Sequence, residues 1–356
     1  MNYRSLHWED VEEGESLPPF TYELSLLRLV SFVRATGLYD YIHFDRDYAQ
    51  SVGARDAFIS TPHITGLFCR LLTDWSGPDA DVKSINLSIK AQSCTNDVLQ
   101  FTGRVGKKYV DDTGNYLVDI VEMVMGHELA PQSAVATATM ILPSRIGGPV
   151  QTSRRSARNP EKLKLDPDLP DIAKDLVGRI RAGLFEPAWP LTVNEIHLWC
   201  ECLEDWNPLY WNDDHARKSR YGGIIAPFAG SFFGAGSSVR GGIGYLKPGE
   251  EVPMPIRRGL LGLPLLNALR QEMMAEGVPF TLPGFPEIVI VGARADYFKP
   301  LRPGDSVHTR QEFLNCGAEK QRRLGTGHII SWVNSAFNQH DELLKNFTFS
   351  AFLYHV

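Results

Sequence analysis

The sequence predicts an α+β fold built twice: two lobes, each a central helix wrapped by a strongly bent antiparallel sheet, packed sheet to sheet as a pseudo-dimer. Three observations carry this expectation. The segment Thr36-Gly37-Leu38-Tyr39-Asp40-Tyr41-Ile42-His43-Phe44-Asp45 has a counterpart in Glu204-Asp205-Trp206-Asn207-Pro208-Leu209-Tyr210-Trp211-Asn212, with Leu38 falling on Asp205 and His43 on Tyr210. Each copy follows a stretch of helical periodicity and leads into a glycine-containing turn. Four long runs rich in β-branched residues then close each half.

Taken in order, residues 25–34 place apolar side chains at helical spacing, and residues 192–203 do the same behind a capping box of Thr192 and Glu195. The motif copies continue into similar tails, Asp45-Arg46-Asp47-Tyr48-Ala49 and Asn212-Asp213-Asp214-His215-Ala216. Glycine follows in both (Gly53; Gly222-Gly223), then the turns Ile59-Ser60-Thr61-Pro62 and Ile225-Ala226-Pro227-Phe228. Pro62 to Trp75 reads as an apolar helix with a face of Ile64, Leu67, Phe68, Leu71 and Leu72. Strands are expected at 83–91, 98–105, 115–125 and 134–142, and again at 287–298, 306–314, 327–337 and 344–354. The domain division is therefore a first lobe over 1–143, a connector over 144–189 with a helix near 171–182, and a second lobe over 190–356 with an insertion at 237–285.

Composition narrows the function classes. With 36 basic and 42 acidic residues the chain carries a net charge of −6, and no basic block interleaves with aromatics, so nucleic acid is not an expected partner. The densest basic run, Lys320-Gln321-Arg322-Arg323, reads as a solvated hairpin. No apolar run approaches a membrane span and the N-terminus lacks a signal-peptide layout, so a cytoplasmic location is expected. Five scattered cysteines, including Cys200 and Cys202, read as buried thiols rather than disulfides or metal ligands. The glycines at 241–244 lack the strand and the Gly-Lys-Ser/Thr that a phosphate cradle needs.

The order helix, motif, turn, helix and four strands resembles the double-hotdog, two-lobed members of the MaoC-like (R)-specific hydratases and dehydratases. Their signature is roughly Gly-Asp-x-Asn-Pro-(Leu/Ile/Val)-His, then an acidic and a small residue. The second half matches at Asp205, Asn207, Pro208, Leu209 and Ala216, with Tyr210 in the His position; the first matches at Gly37, Ile42, His43, Asp45 and Ala49, with Leu38 in the Asp position. The resemblance implies hydration of a 2-enoyl thioester, or its reverse, by an Asp/His pair holding a water. A backbone N–H at the start of the central helix polarises the carbonyl. It implies an acyl-CoA or acyl-carrier thioester as substrate and no metal or other cofactor. Assembly as a homodimer, or with another hotdog chain, stays open.

Each half has lost part of that set. In the second, Tyr210 is no base near neutral pH and Pro227 has no N–H, so Asp205, Asn207 and Tyr210 read as a vestigial site with Asp205 structuring its own loop. In the first, His43 is the candidate acid/base and Thr61 the candidate carbonyl-polarising N–H, preceded by Ser60. Asp40 is the candidate replacement carboxylate; Asp45 reads as a cap, and His43 acting with water alone or with His63 is a further option. Tyr39 and Tyr41, with Phe44, Trp206, Tyr210 and Trp211, either line an acyl pocket or close the lobe interface. Two other outcomes remain at this point: altered chemistry on the same fold (an isomerase, cyclase or eliminase), and a non-catalytic acyl-CoA-binding partner subunit.

Overall fold

A computed structural model describes residues 3–37, 41–51, 53–151, 178, 180–182, 190–230, 282, 284–285, 287–322 and 324–355. In the first lobe a short strand β1 (Phe20–Glu23) enters α1 (Leu26–Thr36). The Ser25 hydroxyl accepts the Arg28 N–H at the start of α1, and Gly37 closes its end at φ 70°, where a Cβ is disfavoured. A 3₁₀ turn at Tyr41–His43 and the short α2 (Arg46–Ser51) lead to the central helix α3 (Thr61–Ser76). Then follow β2 (Asp81–Ile89), β3 (Val98–Val110), β4 (Tyr116–His127) and β5 (Ala130–Ile141).

The second lobe repeats the plan. After β6 (Ile180–Ala182) come α4 (Val193–Leu203), α5 (Pro208–Trp211) and α6 (Asp213–Lys218). The strands β7 (Glu287–Tyr297), β8 (His308–Cys316), β9 (Lys320–Arg322), β10 (Gly325–Phe337) and β11 (Leu343–His355) complete it. The capping box expected at Thr192 and Glu195 is present. All eight long strands form where β-branched runs stand. The helix expected near 171–182 is not what its described end shows: Ile180–Ala182 is a strand, paired antiparallel with Arg310–Glu312 of β8. The second lobe's central helix and most of the 237–285 insertion lie outside the described residues.

The strands make one antiparallel sheet, in the order β1-β3-β4-β5-β2-β7-β11-β10-β8-β6, with β9 added against β10. The two lobes therefore join edge to edge, and the expectation of sheet packing on sheet is corrected. At the seam β2 pairs with β7 from Ser84↔Asp296 to Ser88↔Gly292. Ile85 faces Ala295 and Leu87 faces Ala293, all four buried, so small residues opposite branched ones fill the junction without crowding. Pairing two edge strands also removes the unpaired backbone each lobe would otherwise present. Register shifts in β3/β4 and β4/β5, with Glu122 at φ 49°, supply the bend that lets the sheet wrap a helix.

Alternation along β3 turns Leu99, Phe101 and Val105 inward onto α3. Leu67, Phe68, Leu71 and Leu72 of α3 are all at most 1% exposed, each contributing about 1.5–3 kcal/mol by burial. The Phe68 and Phe101 rings meet edge to face at 5.2 Å. On its other side α3 receives α4. A Cβ on Gly66 would lie 2.6 Å from Leu203 Cδ1, so glycine at this position permits the approach. Arg28 and Arg70 both pair with Glu204, and Arg70 also donates to Leu203 O, tying the end of α4 to the first lobe.

Candidate functional site

His43 ends the 3₁₀ turn and is held by the extended segment that precedes α3. Phe58 N–H donates to Ile42 O at 3.1 Å, and His43 Nδ1 lies 2.8 Å from Phe58 O, with the two rings edge to face at 5.4 Å. A carbonyl only accepts, so Nδ1 carries the hydrogen and Nε2 of the neutral ring carries the lone pair. That is the form a general base requires.

Phe58 is followed closely by the start of α3. The Ser60 side chain is buried and makes no capping bond, and Pro62 has no N–H to offer. Thr61 N–H has no hydrogen-bond acceptor among the described residues. A 16-residue helix thus begins with an unanswered donor at its positive end, suited to developing negative charge on an oxygen.

One turn of helix contains a third element. His63 is fully buried and stacks on Phe32 with ring centroids 4.0 Å apart. Its Nε2 lies 3.0 Å from the Tyr22 hydroxyl, which donates to Cys202 O at 2.7 Å. Burial, with the nearby His43 and Arg28 charges, lowers the His63 pKa to about 3. His43 is therefore an electrostatic neighbour of His63.

The remaining first-lobe candidates divide. Leu38, Tyr39 and Asp40 lie outside the described residues. Asp45 accepts the Tyr48 N–H at 2.9 Å, a capping role at the start of α2 as its position suggested. Tyr41 packs its ring against Phe44 and Tyr48.

The second copy is closed. Asp205 is 2% exposed, and burial with the nearby Asp74 charge pushes its pKa up to about 7 against the pull of Arg70. It accepts the Asn207 N–H at 3.2 Å, and the Asn207 side chain accepts the Leu209 N–H at 3.1 Å, so both residues hold their loop. Tyr210 is buried, and its hydroxyl is pushed well above the usual phenol range. Trp211 donates to Asp205 O at 2.7 Å and stacks on His197, while Trp206 is exposed. Asp205 neighbours Cys69, Arg70 and Asp74 in the C-terminal half of α3, whereas His63 sits in its first turn. Seven residues of helix, roughly 10 Å, separate His63 from Arg70. Asp205 thus faces the far half of α3.

Two groups escaped the sequence reading. Tyr22 reaches His63 only through the β1–β3 pairing, and nothing in Phe-Thr-Tyr-Glu announces that contact. Lys345 of β11 is 5% exposed, donates to Gly230 O, and has its pKa lowered to about 7 by burial. All five cysteines are buried and none is joined in a disulfide. Among the described residues no helix is long and apolar enough to cross a membrane.

Comparison with known proteins agrees with this architecture. The family described as FAS1-like, dehydratase domain region, matches residues 186–347, the end of the connector and most of the second lobe. Over 77 residues the chain is 39% identical to the 3-oxo-4,17-pregnadiene-20-carboxyl-CoA hydratase beta subunit of Mycobacterium tuberculosis, covering 22% of this chain and 60% of that one. Over 177 residues it is 26% identical to an enoyl-CoA hydratase alpha subunit of Thermomonospora curvata, 49% of each chain. The chain thus spans 49% to 60% of the length of these relatives. A MaoC domain dehydratase from Chloroflexus aurantiacus J-10-fl superposes with a TM-score of 0.65 at 11% identity, over 99% of this chain and 98% of that one, a likeness of fold. With its paired lobes and continuous antiparallel sheet, the chain has the double-hotdog fold seen in MaoC-like dehydratases.

Proposed function

We propose that this chain is a hydro-lyase acting on acyl thioesters, reversibly hydrating a 2-enoyl-CoA to a 3-hydroxyacyl-CoA at one site in the first lobe. The observation that carries the reading is His43, its Nδ1–H held by Phe58 O, three residues along the chain before the unanswered Thr61 N–H at the start of α3. In the hydration direction His43 Nε2 takes a proton from water as the oxygen bonds to Cβ of the enoyl group. The electrons move onto the thioester oxygen, which Thr61 N–H and the helix dipole stabilise. Collapse of the enolate takes that proton back from His43 Nε2 onto Cα, which restores the neutral imidazole and releases the 3-hydroxyacyl thioester. Ser60 shapes the turn, Tyr39 and Tyr41 flank the acyl chain, and Asp40 is the carboxylate assigned to His43. The reaction as written uses no metal or redox cofactor.

The second lobe is assigned no chemistry, which fits the burial of Asp205 and Tyr210. The two curated relatives are named as alpha and beta subunits, which supports assembly with another hotdog chain as part of this reading. A cytoplasmic setting fits five buried cysteines, none of them in a disulfide.

The test is turnover of crotonyl-CoA and longer 2-enoyl-CoAs by the purified chain and by His43→Ala. The variant is expected to lose at least about 10²-fold in kcat/KM, the usual contribution of one acid/base group, with an unchanged Tm. Activity retained in His43→Ala refutes the assignment.

A further inference from the structure

His63 has one ring nitrogen without a hydrogen-bond partner. The Tyr22 hydroxyl has a single hydrogen, and it goes to Cys202 O, which only accepts. The contact between Tyr22 Oη and His63 Nε2 therefore has the imidazole as donor, so the hydrogen of the neutral ring sits on Nε2. His63 Nδ1 is left as a bare lone pair. It is buried and has no hydrogen-bond partner.

An unsatisfied acceptor at that depth costs about 1–3 kcal/mol, so its retention calls for an occasional partner. Both neighbours of His63 in the first turn bear on what that partner is. Thr61 offers an unanswered N–H, and Pro62 removes the donor that would otherwise compete. The ring cannot swing away, because Phe32 stacks on its face and Tyr22 holds its far nitrogen. His43 and Arg28 are the titratable groups that act on it electrostatically.

A reacting water has two hydrogens, and a single base satisfies only one. We infer that His63 positions the reacting water, its Nδ1 accepting the hydrogen that His43 does not take. In the reverse direction the same atom accepts from the 3-hydroxyl of a 3-hydroxyacyl thioester. His63 stays neutral throughout: it orients the oxygen and His43 moves the proton. The Tyr22 bond to Cys202 O makes this arrangement depend on the second lobe, because α4 supplies the carbonyl that sets the His63 tautomer. The inference rests on the hydratase reading above.

The two ring nitrogens are separable by substitution. In His63→Asn the amide oxygen takes the place of Nδ1 and the contact to Tyr22 is lost. In His63→Gln the amide reaches Tyr22 and the Nδ1 acceptor is lost. With crotonyl-CoA, His63→Asn is expected to keep kcat within about 10-fold of the parent, while His63→Gln loses about 10²-fold in kcat with little change in KM. A residue serving only the buried Tyr22 contact gives the opposite ranking, and that ranking, or equal kcat in both variants, overturns the inference. If neither variant folds, long-range ¹⁵N–¹H correlation on ¹⁵N-histidine-labelled parent protein decides. Nε2-protonated His63 whose Nδ1 resonance shifts on adding 3-hydroxybutyryl-CoA is expected, and an Nδ1-protonated ring or an unmoved resonance overturns it. Absence of turnover by the parent on every enoyl-CoA refutes the hydratase reading instead, so the two failures are distinguishable.

Discussion

Replacing Asp205 with Asn tests whether the second motif copy is a structural element. The carboxyl is 2% exposed and its pKa is raised from 3.8 to about 7, chiefly by burial. The folded state keeps a proton that the unfolded chain releases above about pH 4, so the stability is full below that pH and is lost as pH rises toward 7. Roughly three pKa units at about 1.4 kcal/mol each put the total near 4 kcal/mol. Asparagine retains the oxygen that accepts the Asn207 N–H and does not titrate. Asp205→Asn should match the parent in urea-unfolding free energy near pH 4 and exceed it progressively up to pH 7, by a few kcal/mol. Taking the difference between the two proteins cancels other titrations, including that of His63, whose lowered pKa makes stability fall with acidification from about pH 6.5 to 3. Arg70 and Asp74 are the charged groups facing the carboxyl, and both remain in the variant. Enoyl-CoA turnover should be unchanged within about 3-fold, below the factor of about 10² that an acid/base group supplies. A stability difference independent of pH refutes the burial argument, and lost turnover in a folded variant refutes the assignment of chemistry to the first lobe alone.

Two further outcomes follow from buried groups. Lys345→Met should raise the urea-unfolding free energy at pH 7 by about 1–4 kcal/mol. The lysine pKa falls from 10.5 to about 7 on folding, so the parent gains stability as pH rises through that window and the advantage of Met shrinks toward pH 10. An advantage that grows with pH contradicts the account. Gly66→Ala places a Cβ 2.6 Å from Leu203 Cδ1, and because α4 must shift or Leu203 change rotamer, thermal unfolding should show a loss of about 1–3 kcal/mol. An unchanged Tm would mean the α3–α4 contact is slack.

Much of the architecture was legible from local pattern. Strand alternation, the Ser25 and Thr192 caps and the apolar face of α3 all depend on residues a few positions apart, and those are the interactions periodicity reports. The repeat also pointed to the losses at Leu38, Tyr210 and Pro227, because each is a substitution within an aligned position. Long-range geometry was not legible. That β2 and β7 join edge to edge, that Tyr22 and the carbonyl of Cys202 set the tautomer of His63, and that Asp205 faces the far half of α3 are contacts between segments 41 to 212 residues apart. Local sequence determined which elements form and which motif atoms remain. Packing of the two lobes decided which of those atoms meet, since hydrogen-bond partners and burial belong to the tertiary structure and no local period encodes them.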